Sequence, residues 1–316
     1  MINTSAIAKQ KSYIIIDVGG SFLKSAVLNE DGFVHTSSYF ITKSYSGSDS
    51  KEQIIQAFKD SINKGLLFIV QNEMDMGGIG IAIPGPFDYR NGISLMRHKF
   101  QKLFEINLKD LLFEATGINP DLPVVFVHDT NAVLWGEQWT GNAKDFANAA
   151  VITIGTGLGF AYSQNGIVQC NELGSTLISI FKTPYRDGIL EDFVSKRGIL
   201  KMYCTFAGKE TIDGMKVIDI AKLADEGDGN ALATFREVGR IISEALVDIL
   251  VEKKIECLLF AGQISRSFHL METTIKEGLT AVECLKRISL VSSIEYAAFY
   301  GVLRKIVVTN KLNNNH

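Results

Sequence analysis

Short apolar runs of strand length recur along the chain, and several of them stop at a glycine, a proline or an aspartate. Runs of four to six such residues bounded by turn-forming residues indicate buried β-strands. On this basis strands are predicted over residues 14–17, 25–28, 78–83, 124–127, 149–154, 160–163 and 257–260.

Between the strands, apolar residues recur at a spacing of three or four, which is typical of the buried face of a helix. The pattern predicts helices over residues 50–70, 108–115, 231–254 and 294–307. The polar residues 310–316 are expected to form a frayed tail. Strands alternating with helices indicate an α/β protein.

The unit of strand, glycine turn and strand occurs twice, at residues 14–28 and 149–163, which suggests an internal duplication. A length of 316 residues fits two domains of ordinary size. We place them at 1–128 and 129–289, with a C-terminal helix in 290–316 that packs back on the first domain.

The amino-acid composition argues against several classes of protein. Hydrophobic residues make up 46% of the chain and charged residues 21%, so the chain is not disordered. A net charge of −3 shows no basic surplus for nucleic acid. The four cysteines have no Cys-x-x-Cys spacing, so they indicate neither a zinc knuckle nor a disulfide framework and suit a reducing cytosol.

Neither targeting nor membrane insertion is indicated. The apolar stretch after Lys9 and Lys11 is too short for a signal peptide. Residues 146–171 carry no charge, but glycine and polar residues interrupt them too often for a spanning helix. We therefore expect a cytoplasmic protein without a membrane partner.

The first glycine turn follows the strand at 14–17. Gly19 and Gly20 allow the backbone to approach a ligand, and bare N–H groups in such a turn bind anions. Asp17 is placed to hold a hydrated Mg²⁺ near a phosphate, and Ser21 and Lys24 add a hydroxyl and a cation. An ordinary Gly-Gly hairpin turn is the alternative.

Four predicted strands end in segments with such chemistry. They are Asp17-Val-Gly-Gly20, Pro84-Gly85-Pro86, His128-Asp129-Thr130-Asn131 and Gly155-Thr156-Gly157. Because ligands of α/β sheets bind beyond the carboxyl ends of strands, we expect these ends to meet at one cleft.

In this order the motifs resemble the ROK family (repressor, open reading frame, kinase) from about residue 13 to about residue 303. The similar segments are 17–24 and 155–157 (phosphate loops), 78–86, 172–174 and 190–191 (sugar segments), 129–137 (catalytic segment) and 261–265 (adenosine segment). The resemblance implies two actin-like, ribonuclease H-like domains around a central cleft. It also implies ATP-dependent phosphorylation of a hexose or hexose derivative, as in a glucokinase, with Mg²⁺ carried by ATP, and a homodimer.

The resemblance also implies roles for single residues. Asp129 is the expected catalytic base, and the alternative is that it only caps the following helix. The residues expected at ATP or its phosphates are Asp17, Gly19, Gly20, Ser21, Lys24, Gly155, Thr156, Gly157 and Gly262. The residues expected at the sugar are Gly85, His128, Asp129, Glu172, Ser175 and Glu191. For Gly262, a plain turn after its strand is the alternative.

The chain departs from the family pattern around the expected sugar site. Ser175 stands where the family has a histidine, and residues 176–190 lack the family's zinc cysteines. Structural zinc needs about four ligands, so we expect no zinc here. Apolar packing is expected to hold this segment instead, through Ile178, Ile180, Phe181 and Tyr185.

Two more departures leave the substrate open. His128 replaces an asparagine, and Arg97-His98-Lys99-Phe100 replaces a Pro-Asn-Leu segment. A sugar sensor without kinase activity and a polyphosphate-dependent sugar kinase remain alternatives. A DNA-binding repressor is not expected, because the first strand begins near residue 12 and leaves no room for a helix-turn-helix domain.

Overall fold

The computed structural model describes residues 10–48, 50–211 and 214–313. The expectations that involve Lys9 and residues 314–316 lie outside the described residues. The chain forms two compact units. Unit 1 comprises the described residues up to Gly136, Cys170–Ser175 and the residues from Ala298 onward, and unit 2 comprises Glu137–Gln169 and Thr176–Ala297. The predicted domain limits, 1–128 and 129–289, stay a prediction.

The helices and strands follow one another in the order of an α/β protein. Up to residue 139 they are β1 (Lys11–Val18), β2 (Phe22–Asn29), β3 (Val34–Lys43), α1 (Lys51–Gln71), β4 (Asp75–Ile83), β5 (Phe87–Asp88), β6 (Ile93–Ser94), α2 (Leu108–Thr116), β7 (Val124–His128) and α3 (Asp129–Trp139). After it they are β8 (Ala149–Ile154), β9 (Leu158–Gln164), β10 (Ile167–Val168), β11 (Pro184–Tyr185), β12 (Gly188–Ile189), α4 (Glu191–Val194), α5 (Lys196–Phe206), α6 (Val217–Asp225), α7 (Gly229–Glu252), β13 (Cys257–Ala261), α8 (Glu272–Gly278), β14 (Arg287–Leu290) and α9 (Ala297–Asn313).

The sheet of unit 1 has the strand order β3-β2-β1-β4-β7. Strands β1, β2 and β3 are antiparallel neighbours, and β4 and β7 run parallel to β1. Asp17 is level with Ala82, and Ile83 is level with His128. The carboxyl ends of β1, β4 and β7 therefore lie along one edge of this sheet, which is where ligands bind in such folds.

The sheet of unit 2 repeats this arrangement with the strand order β10-β9-β8-β13-β14. Strands β8, β9 and β10 are antiparallel neighbours, and β13 and β14 run parallel to β8. Both sheets thus place three antiparallel strands beside two parallel ones, in the same order, which is what an internal duplication would produce.

Helix α7 shows how the apolar pattern builds the core of unit 2. Asp228 caps it by accepting a hydrogen bond of 2.7 Å from the Ala231 N–H. The helix then buries a face that includes Phe235, Val238 and Ile242 among the apolar residues of the sheet. The predicted helix is present, shifted by two residues at each end. Within the described residues, no helix combines the length and the apolar character that a membrane crossing requires.

The predicted C-terminal end needs a correction. The last helix begins and ends later than the predicted 294–307, and the described residues 310–313 are helical rather than frayed. Asn310 is only 8% exposed, and its Nδ2 donates to the Gly77 carbonyl at 3.0 Å. The polar composition of residues 310–316 predicted an exposed tail, but Asn310 is buried because it hydrogen-bonds the Gly77 carbonyl.

The segment without cysteines is held as predicted. Ile180 is buried in the core of unit 2, and Ile178, Phe181 and Tyr185 pack against that core. The hydroxyl of Tyr185 also donates to Glu244 at 2.9 Å, on helix α7. Apolar packing, supplemented by polar contacts to α7, therefore fixes the chain just before Glu191.

Candidate functional site

The first glycine turn joins β1 to β2 and is held from one side only. The Gly19 N–H donates to the Phe22 carbonyl at 2.9 Å, which closes the turn. The Gly20 carbonyl accepts hydrogen bonds from Ser44 Oγ at 2.8 Å and Ser46 Oγ at 2.5 Å. A side chain at Gly20 would meet no atom within 4 Å. The turn is thus fixed through its carbonyl and open at its glycine face, as an anion-binding turn requires.

Asp17 lies in β1 just before this turn, opposite Lys24 of β2, while Ser21 is exposed in the turn. Burial raises the pKa of the Asp17 carboxyl to about 6, the charge of Lys24 lowers it, and the charge of Asp129 raises it. The register of β1, β4 and β7 places Asp17 and Asp129 at the same edge of the sheet, so that the charge of Asp129 acts on Asp17. Two acidic groups placed together favour a cation between or beside them.

Asp129 begins helix α3 directly after β7, and its side chain is 37% exposed. Its Oδ1 accepts the Thr130 N–H at 2.6 Å and lies 3.2 Å from His128 Nδ1. Within the described part of the chain, Oδ2 makes no hydrogen bond. One carboxylate oxygen therefore stabilises the helix start, and the other is available to a ligand, so capping and catalysis do not exclude each other.

Three polar side chains converge on Gly85, which follows β4. A Cβ atom at Gly85 would lie 3.4 Å from Tyr89 Oη, 3.6 Å from His128 Cδ2 and 3.6 Å from Ser175 Oγ. Burial lowers the pKa of His128, and the charge of Asp129 opposes this effect. A neutral imidazole, a phenol and a hydroxyl thus surround one glycine, a set of groups suited to hydrogen bonds with an uncharged polar ligand.

The Glu172 loop (Cys170–Ser175) is attached to this place from two sides. Asn131, which is fully buried in α3, donates from Nδ2 to the Gly174 carbonyl at 3.3 Å. The Tyr89 N–H donates to another carbonyl of the loop at 3.0 Å. Glu172 itself is exposed and, among the described residues, has no hydrogen bond. The loop presents a free carboxylate on a fixed backbone.

The second glycine turn, between β8 and β9, is already occupied by a carboxylate of its own unit. The Gly155 N–H donates to the Gly157 carbonyl at 3.0 Å, and the Lys196 N–H donates to the Gly155 carbonyl at 2.9 Å. The Leu158 N–H donates to Glu191 Oε2 at 2.9 Å. Glu191, expected at the sugar, thus also fixes the glycine turn.

Two further predicted residues of unit 2 lie at strand ends. Thr156 is exposed at the tip of the second turn. Gly262 follows β13 with φ at +87°, and a Cβ atom there would overlap the carbonyl oxygen of Ile154. Close packing of β13 on β8 alone requires this glycine. A nucleoside contact of Gly262 therefore stays a prediction.

Sequence reasoning missed the residues that position the predicted ones. Asn131 was part of a quoted motif but received no role, and Tyr89, Ser44 and Ser46 were not considered. Their contacts run to backbone groups far away in sequence. Of these residues, only Asn131 could have been identified from the sequence, because a buried asparagine in the first turn of a helix needs hydrogen-bond partners.

Comparison with known proteins shows the family. The ROK family model matches residues 13–287. A beta-glucoside kinase of Listeria monocytogenes is 33% identical over 152 residues, which cover 48% of this chain and 46% of the relative. The chain thus spans about half the length of the beta-glucoside kinases that it matches. A glucokinase of Halalkalibacterium halodurans is 25% identical over 291 residues, which cover 85% of each.

A solved structure shows the same fold. The ROK family glucokinase of Streptomyces griseus, solved with glucose and AMPPNP, matches 93% of this chain and 98% of its own, with a TM-score of 0.77 at 20% identity. The predicted α/β, actin-like fold is confirmed by this likeness. Because the family model extends over most of the length of this chain, the chain belongs to the ROK family.

Proposed function

We propose that this chain is an ATP-dependent sugar kinase, which phosphorylates a hydroxyl of a hexose or hexose derivative. The observation that carries the proposal is the edge of the unit 1 sheet. There Asp17 and Asp129 are electrostatic neighbours, beside the open turn at Gly20 and the polar groups around Gly85. The family match and the kinases among its relatives support the same reaction.

Asp129 acts as the general base in this proposal. The sugar hydroxyl passes its proton to the Asp129 carboxylate while its oxygen bonds to the γ-phosphorus of ATP. The bond between the γ-phosphorus and the bridging oxygen breaks at the same stage, and ADP leaves. A carboxylate with one oxygen fixed by the Thr130 N–H and the other available is suited to orient that hydroxyl.

The glycine turn of unit 1 is assigned to the phosphates of ATP in this proposal, and phosphate contacts of Gly155, Thr156 and Gly157 stay a prediction for unit 2. Open backbone at Gly20 and Ser21 offers N–H groups to phosphate oxygens, and Lys24 adds a positive charge. The Gly155 N–H is not counted, because it donates to the Gly157 carbonyl. Nucleotide contacts of Thr156 and Gly262 likewise stay a prediction for unit 2. The Leu158 N–H is taken by Glu191 and is not counted among the donors.

The residues fit a magnesium ion that arrives with ATP. Mg²⁺ is usually held by one or two carboxylates together with phosphate oxygens and water. In the described part of the chain the Asp17 carboxylate has no hydrogen bond, and the charge of Asp129 lies near it. Asp17 would hold the hydrated ion, which would neutralise charge on the phosphates when bound. No group of three or more potential metal ligands occurs among the described residues.

Hydroxyl groups of the sugar bind to the side chains around Gly85 and to the Glu172 loop. His128 and Ser175 offer a donor and an acceptor, and Glu172 offers a free carboxylate. A sugar contact of Glu191, in unit 2, stays a prediction. A homodimer in the cytoplasm, without zinc, nucleic acid or membrane partners, belongs to the same proposal and stays a prediction.

A coupled ADP-release assay tests the proposal. Mg-ATP is offered with glucose, fructose, mannose, allose, N-acetylglucosamine and N-acetylmannosamine, and inorganic polyphosphate replaces ATP in a parallel series. Sugar-dependent ADP release is expected. Turnover with polyphosphate but not with ATP would show that polyphosphate is the phosphoryl donor. Sugar binding measured by calorimetry, without any turnover, would favour a sugar sensor.

A further inference from the structure

Three consecutive basic residues, Arg97-His98-Lys99, form a short exposed segment in unit 1. Arg97 and His98 are exposed, and Lys99 is partly exposed. None of the three forms an ion pair with a carboxylate in the described part of the chain. We call this segment the basic arch (Arg97–Lys99). An exposed run of cations without partners favours the binding of an anion.

The basic arch is held at both ends. Met96 and Phe100, on its two sides, are both fully buried in unit 1. The Leu95 N–H donates to the Pro86 carbonyl at 3.1 Å, and the Phe100 N–H donates to the Ser46 carbonyl at 2.6 Å. The arch is thus a supported element with three side chains outside, not a free loop.

These anchors place the arch between the two parts of the candidate site. Pro86 follows Gly85, around which the polar side chains of the sugar site converge. Ser46 supports the Gly20 carbonyl of the first glycine turn. Five residues of chain span at most about 17 Å, so the arch is within reach of both.

Arg97 is oriented by an aromatic side chain. Its guanidinium carbon lies 4.1 Å from the centre of the Phe104 ring. Stacking on a ring uses the face of the guanidinium and leaves the N–H groups on its edge for a planar anion. The arginine is therefore restrained in a form that can bind a carboxylate or a phosphate.

The acidic residues near this segment are engaged elsewhere or exposed. Asp88 accepts hydrogen bonds from Asn91 and from the Arg90 N–H, and these hold its pKa below the usual value. Glu105 is exposed and forms no ion pair within the described residues. Neither Asp88 nor Glu105 therefore forms an ion pair with the arch.

We propose that the basic arch binds an anionic group, a phosphate or a carboxylate, on the sugar that this chain phosphorylates. The inference rests on the proposed function and narrows its substrate to acidic or already phosphorylated sugars. Arg97 binds the anion through the edge of its guanidinium, Lys99 adds a charge-assisted hydrogen bond, and His98 adds a ring nitrogen as a further hydrogen-bonding group.

Calorimetry without nucleotide tests the inference independently of turnover. Glucose is compared with glucose 1-phosphate, glucose 6-phosphate and glucuronate, on the wild type and on the Arg97→Gln/Lys99→Gln variant. Lys51→Gln/Lys59→Gln, which removes two charges from helix α1, is the matched control. At least one anionic sugar should bind about tenfold more tightly than glucose, and the arch variant alone should lose this preference. Salt should weaken the same binding.

The assay for ADP release separates the two proposals. Turnover of neutral sugars with no preference for anionic ones would overturn the inference and leave the proposed function intact. A higher KM for ATP in the arch variant, with unchanged sugar binding, would assign the arch to the donor and also overturn it. Anionic binding that depends on the arch, without any turnover, would support the arch and contradict the kinase.

Discussion

The edges of the two sheets share a strand order but differ in chemistry. In unit 1 the strands end in two neighbouring carboxylates, Asp17 and Asp129, and in a glycine turn whose open face meets no other atom. In unit 2 the glycine turn receives a carboxylate from its own unit, because the Leu158 N–H donates to Glu191. A duplicated scaffold therefore does not imply duplicated roles.

In the proposed function, the reacting groups lie in unit 1 and unit 2 has a binding role. Asp129 accepts the N–H of the residue next to it and lies at the same sheet edge as Asp17, whereas Glu191 accepts the N–H of a distant residue and so fixes a glycine turn. Variants at the two edges should therefore have different kinetic effects. Those at Asp17 and Asp129 of unit 1 should lower kcat, and those at Glu191 of unit 2 should mainly raise KM.

The largest effect is expected at Asp129. The Asp129→Asn variant should lose roughly 10³-fold in kcat, because the amide cannot accept the hydroxyl proton, while sugar binding persists. Steady-state kinetics and calorimetry measure the two quantities. Asp121→Asn, which changes an exposed carboxylate of the same unit, should behave as the wild type. Full turnover of Asp129→Asn would remove the distinction between the two edges.

Asp17→Asn should lose about 10- to 100-fold in kcat, since the variant lacks a charge that helps to hold the metal and phosphates. The same variant should gain stability. Burial raises the pKa of this carboxyl from 3.8 to about 6, so its ionised form costs folding free energy at pH 7. We expect a gain of about 1–2 kcal/mol in the free energy of unfolding.

The pH dependence of the gain in stability tests whether the ionisation of buried Asp17 causes it. Between about pH 4 and pH 6 the folded protein keeps the Asp17 proton that the unfolded chain has lost, so this group makes the wild type less stable as pH rises. Urea unfolding of wild type and Asp17→Asn should coincide below pH 4 and diverge by pH 7. A variant that is less stable at pH 7 would mean that Lys24 outweighs burial.

Variants of Glu191 and Glu172 compare a carboxylate that fixes a glycine turn with one that has no hydrogen bond among the described residues. Glu191→Ala should raise the KM for both ATP and sugar by about tenfold, because it releases the second glycine turn. Glu172→Ala should raise only the KM for sugar, since Glu172 is exposed and forms no hydrogen bond or ion pair with another described residue. Equal effects of both variants on the KM for ATP would show that the bond between Glu191 and Leu158 does not matter for the nucleotide.

Asn131 should have the smallest effect. Asn131→Ala removes the hydrogen bond to Gly174, so the Glu172 loop should loosen and the KM for sugar should rise several-fold, about 1 kcal/mol in binding. The KM for ATP should not change. Asn310→Ala is the control, because it removes a hydrogen bond to Gly77 in the same unit and should cost stability alone. If Asn131→Ala and Asn310→Ala had equal KM values for sugar, Asn131 would have no role in positioning the Glu172 loop.

Much of the fold could be predicted because apolar periodicity reports burial directly. The strands that end at Asp17 and His128 and the helix capped by Asp228 were predicted within a few residues. Strand β3 was missed because its side chains are largely exposed, so no apolar run marks it. The end of α9 was missed because burial of Asn310 depends on the Gly77 carbonyl, which no local pattern shows.

The candidate site could be predicted in its residues but not in its contacts. Glycines and carboxylates at strand ends stand out locally, and so Gly20, Asp129 and Gly155 could be named as candidates, which stay predictions. The bond from Leu158 to Glu191 joins residues 33 apart. Such pairing follows from tertiary packing, which the order of residues along the chain does not reveal.

The most direct test of the account counts both products of one reaction. Wild type is incubated with Mg-ATP and the sugar that gives the fastest turnover, and mass spectrometry measures sugar phosphate while the coupled assay measures ADP. The account predicts one sugar phosphate for each ADP, and neither product from Asp129→Asn beyond about a thousandth of the wild-type rate. ADP without sugar phosphate, or the same products from Asp129→Asn at the full rate, would contradict it.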